Sequence, residues 1–98
     1  MDDTTLRVNA RSSSSGGLVL AVEGYLDDEG GSTLAREIGA ARAADHGKIR
    51  IDLGAVTLFT CSGVRRLLAA LDELTRAGCR VDLRSVHHPL QRLLDLAA

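Results

Sequence analysis

The second half of the chain has the pattern of a strand, an amphipathic helix and another strand. This pattern constrains the fold more than any other feature of the sequence. Residues 48–53 read KIRIDL, with apolar and polar residues in alternation, and residues 79–83 read CRVDL. Between them, apolar residues recur at helical spacing, at Val64, Leu67, Leu68, Leu71 and Leu74. This spacing predicts an amphipathic helix. Strands joined through a helix are expected to be parallel neighbours in one sheet.

The first part of the chain predicts two strands joined as a hairpin. Residues 5–9 alternate Leu6 and Val8 with polar residues, and residues 18–22 form a continuous apolar run, LVLAV. Such a run predicts a strand that is buried on both faces. The serines and glycines of residues 11–17 are typical of a hairpin loop, so the two strands are expected to be antiparallel.

A helix is predicted between this hairpin and the strand at residues 48–53. After a turn at residues 24–27, either Ser32 or Thr33 is expected to cap it, and it is expected to end near His46 and Gly47. Its apolar face would consist of Leu34, Ile38 and Ala41.

The remaining segments complete the order. Residues 56–59 are a short apolar segment that either extends the strand before it or follows it. Gly78 is expected to end the leucine-rich helix, and Pro89 to lie in the first turn of a last helix. The apolar face of that last helix would consist of Leu90, Leu93, Leu94 and Ala97.

The predicted order of elements is therefore ββαβαβα. Ninety-eight residues suit one domain, residues 1–98, and a hydrophobic fraction of 45% is enough to build a core. We predict an α/β fold with a mixed sheet of about four strands and helices packed mainly on one face.

Composition argues against several classes of function. The formal net charge is −1, and Tyr25 and Phe59 are the only aromatic residues, so neither charge nor base stacking favours nucleic-acid binding. No apolar run has the length of about 20 residues that spans a bilayer, and the acidic start of the chain lacks the features of a signal peptide. Cys61 and Cys79 have no metal-binding spacing. We expect a cytoplasmic protein without membrane insertion, metal or cofactor.

An enzymatic reading would make Cys61 a nucleophile with His46, His87 or His88 as its base. No spacing between these residues supports such a pair. His87 and His88 precede Pro89 and are more typical of residues at the start of a helix. We predict that the chain is not an enzyme.

Three segments together resemble the STAS domain family. Residues 22–27 read VEGYLD, residues 51–71 read IDLGAVTLFTCSGVRRLLAAL, and residues 78–96 read GCRVDLRSVHHPLQRLLDL. The family has a G-x-L-D turn after its second strand, a strand ending in D-L-s-x-V, and a D-S-x-G type of turn before a leucine-rich helix. The resemblance covers nearly the whole chain.

Stand-alone domains of this family resemble anti-sigma factor antagonists, which bind an anti-sigma factor, usually a serine kinase, and so release a sigma factor. The resemblance implies an anti-sigma factor or a related kinase-like protein as partner, no direct contact with nucleic acid, and a monomer or weak homodimer. An accessory subunit of a lipid-transport ATPase or of a stressosome-type assembly is the alternative. The implied partner-binding residues are Asp27, Asp28, Thr60, Cys61, Ser62 and Gly63.

Several charged residues near this implied site have two interpretations. Asp27 matches the acid of the G-x-L-D turn, whose loop lies beside the switch turn in the family, but a turn-forming role is equally consistent with its position. Asp28 and Glu29 make the loop acidic, which would favour a basic partner surface. Arg65 and Arg66 are either solvated or partner contacts.

The turn before the leucine-rich helix departs from the family pattern. Residues 59–63 read FTCSG, so Thr60 stands at the position of the family's acid and Cys61 at that of the phosphorylated serine. Three hypotheses follow. In the first, the chain is not regulated by phosphorylation and binds its partner constitutively, or binds something else. In the second, Thr60 or Ser62 is phosphorylated instead, although Ser62 is also a good helix cap. In the third, Cys61 senses oxidants or electrophiles, because a helix N-terminus favours the thiolate.

Overall fold

The computed structural model describes residues 5–14, 16–43 and 47–97. Over these ranges the elements are β1 (Arg7–Ser12), β2 (Leu18–Leu26), α1 (Asp28–Ala43), β3 (Lys48–Phe59), α2 (Cys61–Arg76), β4 (Arg80–Arg84) and α3 (His88–Ala97). The order ββαβαβα is the one that the sequence predicts.

The strands form one mixed sheet in the order β1-β2-β3-β4. β1 runs antiparallel to β2, with Val8 opposite Val22. β2, β3 and β4 run parallel, with Leu20 beside Ile51 and Ile51 beside Leu83. The predicted hairpin and the two parallel connections through helices are therefore confirmed.

Aliphatic side chains from one face of the sheet and from the three described helices form a shared core. Side chains alternate between the two faces of a strand, so Leu20 and Val22 of β2 point to the same side as Ile49 and Ile51 of β3. Burying a side chain of this size contributes about 1.5–3 kcal/mol. The helices contribute Leu34, Ile38, Ala41, Val64, Leu67, Ala70, Leu74, Leu90 and Leu94 to the core.

The other face of the sheet is not covered by any helix of the described residues, and we call it the helix-free face. It carries Val19, Ala21 and Glu23 of β2. Val19 is only 7% exposed, yet Ala21 and Glu23 are only half-buried. The prediction that β2 is buried between two layers is therefore wrong, because the apolar run LVLAV has its core on one side only.

Helix α1 begins earlier than the sequence predicts. Neither Ser32 nor Thr33 caps it; the helix begins at Asp28, and the Oδ1 atom of Asp27 accepts a hydrogen bond from the backbone N–H of Gly30 at 2.7 Å. Gly30 and Gly31 have low helix propensity, which is why the pattern favours a later start. The helix extends to Ala43, and His46 of its predicted end lies outside the described residues.

Strands β1, β2 and β3 also differ from prediction at their ends. β1 occupies Arg7–Ser12 rather than residues 5–9. β2 continues through residues 24–26, where a turn is predicted, and its register with β3 shifts there. β3 extends without a break to Phe59, so residues 56–59 belong to the same strand.

The ends of α2 and α3 agree with the sequence. α2 ends at Arg76, and Gly78 follows it with a φ of 85°, a conformation that glycine adopts without strain. Pro89 is the second residue of α3. Leu90 and Leu94 are buried and Leu93 is half-buried, whereas the side chain of Ala97 lies outside the described part.

Candidate functional site

The site is built around the start of α2, where Thr60 is the cap. Thr60 has an extended backbone, and its Oγ1 accepts a hydrogen bond from the backbone N–H of Gly63 at 3.1 Å. The prediction that Ser62 could cap the helix is therefore wrong. Ser62 lies inside the first turn, with its hydroxyl 3.4 Å from that of Thr60. Thr60 thus fills the capping role that an acid at this position would fill.

The start of α2 lies directly against the junction of β2 and α1. The backbone N–H of Thr60 donates to the carbonyl oxygen of Leu26 at 3.0 Å. Gly63 is buried, and a Cβ built on it would overlap the carbonyl oxygen of Leu26 and lie 2.7 Å from that of Asp27. The structure therefore brings the Asp27 and Cys61 segments together, although they are separated by more than thirty residues along the chain.

Two glycines at the start of α1 complete this close approach. A Cβ on Gly30 would overlap the carbonyl oxygen of Tyr25, and a Cβ on Gly31 would lie 2.9 Å from the Cβ of Arg66. The missing side chain of Gly30 therefore lets α1 begin against the end of β2, and that of Gly31 lets α1 approach α2. The pair of glycines is the sequence signal that could have located this contact.

An ion pair joins the two helices at the edge of the site. The Nε atom of Arg66 donates to Oδ1 of Asp28 at 2.7 Å. The hydrogen bond and the attraction of the carboxylate raise the pKa of Arg66 above its ordinary value, so the guanidinium remains charged. Arg66 is thus a contact within the chain, and Asp28 is held by it. Sequence reasoning left the role of Arg66 open, because nothing local links these residues.

Cys61 and Ser62 face solvent at the first turn of α2. Cys61 also borders a shallow groove of about 160 Å³, whose other walls are Arg65 of α2 and Leu93 and Leu96 of α3. Leu96 is 81% exposed. No local pattern in the sequence links α3 with the site.

We call the surface around Asp27, Asp28, Thr60, Cys61 and Ser62, with the buried Gly63 beneath it, the docking face, because these are the residues at which the sequence predicts partner binding. Both helix N-termini meet there, and each presents the positive end of its dipole. α1 places Asp28 and Glu29 in its first turn, whereas α2 has no acidic residue there. One side of the face is therefore acidic, and the other keeps the uncompensated positive end of α2.

A contact within the fold accounts for His87, whereas His46 lies outside the described residues. His87 lies just before α3, with its Nε2 atom 3.0 Å from the carbonyl oxygen of Gly54. Within residues 5–14, 16–43 and 47–97, no group of three or more His, Cys, Asp or Glu residues has the arrangement of a metal site. No helix in the same ranges has the length and apolar character needed to cross a membrane.

Comparison with solved structures identifies the fold. The chain is similar to an anti-sigma factor antagonist from Mycobacterium paratuberculosis, with a TM-score of 0.77 and 24% identity, over 97% of this chain and 80% of that chain. Unphosphorylated SpoIIAA, from Bacillus, gives a TM-score of 0.73 at 16% identity, over 92% of this chain and 83% of that one. The STAS domain of an antisigma-factor antagonist from Rhodobacter sphaeroides gives 0.67 at 20% identity, over 86% and 90%.

Sequence comparison identifies the family. A search of curated proteins finds no match, but a family model described as Mlab, STAS domain, matches residues 9–98. That match covers nearly the whole chain and agrees with the ββαβαβα fold. The chain belongs to the STAS domain family.

Proposed function

We propose that this chain is a protein-binding regulator of the anti-sigma factor antagonist type, and that its docking face receives an anti-sigma factor of the serine-kinase class. The observation that best supports this is the backbone hydrogen bond from Thr60 to Leu26. It holds the start of α2 against the β2–α1 junction, so that two separate segments present one continuous surface to a partner.

The composition of the docking face supports a protein partner. Cys61 and Ser62 are exposed small side chains, and the groove beside Cys61 offers the apolar Leu93 and Leu96. The acidic residues at the start of α1 favour a partner whose facing surface is basic. A small polar centre with an apolar groove beside it resembles the mixed character of protein interfaces.

We propose that docking does not depend on a phosphate at Cys61. A thiol is not a usual substrate of a serine kinase, and the hydroxyl of Thr60 is engaged as the helix cap. The hydroxyl of Ser62 remains exposed to a kinase. Phosphorylation of Ser62 is therefore the alternative to phosphate-independent docking. A phosphate there would add about two negative charges to the contact surface.

No catalytic, metal-binding or cofactor role enters this proposal. The chain would act in the cytoplasm by occupying its partner, as a monomer or weak homodimer. A second candidate is retained because the description of the matching family model names no anti-sigma factor. In that case the docking face would bind a lipid-transport ATPase or another protein of a stressosome-type assembly.

The test is a calorimetric titration of the chain with the purified kinase-type anti-sigma factors of the same genome. We expect one of these anti-sigma factors to bind the chain. Cys61→Ser should change the Kd of that complex by less than about threefold, whereas Cys61→Tyr should weaken binding by at least about tenfold. Thr75→Tyr is the matched control, since it adds the same bulk about 21 Å along the same helix. Equal affinities for Cys61→Tyr and the unaltered chain would contradict the proposed face.

Phosphorylation is tested separately by intact-mass analysis after incubation with the bound kinase and ATP. We expect no gain in mass. A gain of one phosphate that disappears in Ser62→Ala would overturn the proposal of phosphate-independent docking and assign the switch to Ser62. Binding of a transport ATPase or stressosome protein, in the absence of binding to any anti-sigma factor, would favour the second candidate.

A further inference from the structure

The helix-free face of the sheet carries a concentration of positive charge. Cα partners in neighbouring parallel or antiparallel strands share a face, so the register that directs Leu20 and Ile51 to the core directs Val19 and Arg50 to the other side. Across the four strands, this register assigns half of the 12 Lys and Arg residues of the chain to the helix-free face. They are Arg7, Arg11, Lys48, Arg50, Arg80 and Arg84.

Carboxylates balance only part of this charge. In the described strands, the same face carries Glu23, Asp52 and Asp82, which leaves it a formal charge of +3 in a chain of net charge −1. Glu23 pairs with Arg7 at 2.9 Å, and Asp82 is 2.8 Å from Arg84 and 3.5 Å from Arg50.

Three of the cations have no carboxylate at salt-bridge distance among the described residues. Arg11, Lys48 and Arg80 make no salt bridge within residues 5–14, 16–43 and 47–97. Lys48 and Arg80 are register partners at the start of β3 and β4. Arg11 of β1 and Arg50 of β3 are the register partners of Val19 on its two sides. We call Arg11, Lys48, Arg50 and Arg80 the cationic end.

The cationic end lies at the opposite end of the sheet from the docking face. β2 leads from Leu18, beside the cationic end, to Leu26, beside Thr60, and nine residues of strand span about 26 Å. A partner could therefore occupy one surface without occupying the other.

Parallel strands are usually covered on both faces, and the helix-free face spans three parallel strands without a covering helix. We propose that the cationic end binds an acidic segment of a protein partner, whose carboxylates pair with Arg11, Lys48 and Arg80. The guanidinium group favours this chemistry, because its planar fork pairs with carboxylates in bidentate fashion.

The dimensions and the remaining acids of the face favour a peptide over a polyphosphate. Four strands at a spacing of about 4.8 Å span about 14 Å, which about five extended residues can cross. Asp82 lies beside Arg50 within the cationic end, and Asp52 and Glu23 follow further along the same face, so a regular phosphate backbone laid on the face would meet these acids. The spacing of carboxylates in a peptide can instead avoid these acids.

The test is an NMR titration of the ¹⁵N-labelled full chain with a synthetic peptide in which Glu alternates with Ser. With this peptide we expect salt-sensitive changes in the amide chemical shifts of β1, β3 and β4. A peptide that carries Gln in place of Glu should cause no such changes. Lys48→Glu combined with Arg80→Glu should weaken binding at least about tenfold. Arg36→Glu combined with Arg92→Glu makes the same charge change on α1 and α3, and should weaken it by less than about threefold.

Duplex DNA and vesicles of phosphatidylglycerol with phosphatidylcholine are titrated in parallel. Tighter binding of either than of the acidic peptide would overturn the proposal, as would the absence of peptide binding, shifts confined to the helices, or equal losses in the two double variants. The measurement needs no anti-sigma factor, so its outcome is independent of the function proposed for the docking face.

Discussion

The α-carbon of Gly63 lies against the backbone carbonyl of Leu26 so closely that no side chain fits between them. A Cβ on Gly63 would overlap that oxygen and would also lie 2.7 Å from the carbonyl oxygen of Asp27. Both obstacles are backbone atoms, which cannot rotate away as a flexible side chain can. The first turn of α2 can therefore reach the β2–α1 junction only while residue 63 is glycine.

We expect Gly63→Ala to lower the free energy of unfolding by about 1–3 kcal/mol, the usual effect of adding atoms to a closely packed position. Chemical denaturation followed by circular dichroism measures this change. Since relief of the overlap would move α2 away from Leu26, the same variant should also accelerate amide exchange at Thr60.

Gly39→Ala is the matched control, because nothing lies within 4 Å of a Cβ built at Gly39 in the middle of α1. Alanine in an open helical position is more stable than glycine by about 0.5–1 kcal/mol. The two variants should therefore move stability in opposite directions. A Gly63→Ala protein as stable as the unaltered chain would show that the close approach is not needed.

The cap of α2 predicts a second contrast, between Thr60 and Ser62. Thr60→Ala removes the acceptor of the Gly63 N–H and should cost about 1 kcal/mol. Thr60→Asp supplies another acceptor and a negative charge at the helix start, so it should retain the stability or raise it. Ser62→Ala should change stability by less than about 0.5 kcal/mol, since Ser62 is exposed and caps nothing. Thermal or chemical unfolding of the three variants measures these changes. A larger loss of stability for Ser62→Ala than for Thr60→Ala would show that Ser62, not Thr60, caps α2.

The sequence predicts those parts of the fold that depend on local spacing. The stripe from Val64 to Leu74 defines α2, β2 begins directly after Gly17, and α2 ends just before Gly78, as the sequence predicts. The start of α1 could not be predicted from the same signals. Gly30 and Gly31 lower helix propensity, but Gly30 is required by the close approach of Tyr25, and Gly31 by a contact with Arg66 that is remote in sequence.

The candidate site follows the same division. The resemblance to a known family locates the segments around Asp27 and Cys61, but which hydroxyl caps α2 depends on backbone geometry that serine and threonine both allow. The pairing of Arg66 with Asp28 joins residues 38 positions apart. The charge of the helix-free face likewise becomes apparent only when four strands are set in register.

The pair of Arg66 and Asp28 should contribute little to stability. Both side chains are about half exposed, 48% and 63%, and exposed ion pairs typically contribute about 0.2–1 kcal/mol. A double-mutant cycle of Asp28→Asn and Arg66→Gln, measured by chemical denaturation, should give a coupling energy in that range. A coupling well above about 1 kcal/mol would mean that the pair is a structural clamp rather than a surface contact.

Asp82 of the helix-free face predicts a pH dependence. The hydrogen bond from Arg84 is the main cause that lowers the pKa of Asp82 below its ordinary value; the attraction of Arg84, Arg50 and Lys48 adds to it, and partial desolvation opposes it. In the unfolded chain the hydrogen bond from Arg84 is no longer held in place and the β3 residues Arg50 and Lys48 are remote, so the pKa returns towards its ordinary value. The folded state therefore binds the proton of Asp82 less readily than the unfolded state does.

It follows that Asp82 contributes stability above its unfolded pKa and that this contribution is lost as the pH falls through its folded pKa. We expect the carboxyl carbon of Asp82, followed by NMR, to titrate below the ordinary range for aspartate, and Arg84→Gln to raise that pKa. As the pH falls, protonation of Asp82 lowers the free energy of unfolding, and this loss should be smaller in Arg84→Gln than in the unaltered chain. Arg76→Gln, which breaks the helical pair with Asp72 at 3.1 Å, removes the same charge elsewhere and should leave the titration of Asp82 in place. An Asp82 that titrates normally in the unaltered chain, or a shift that survives Arg84→Gln in full, would show that the hydrogen bond from Arg84 does not control this carboxylate.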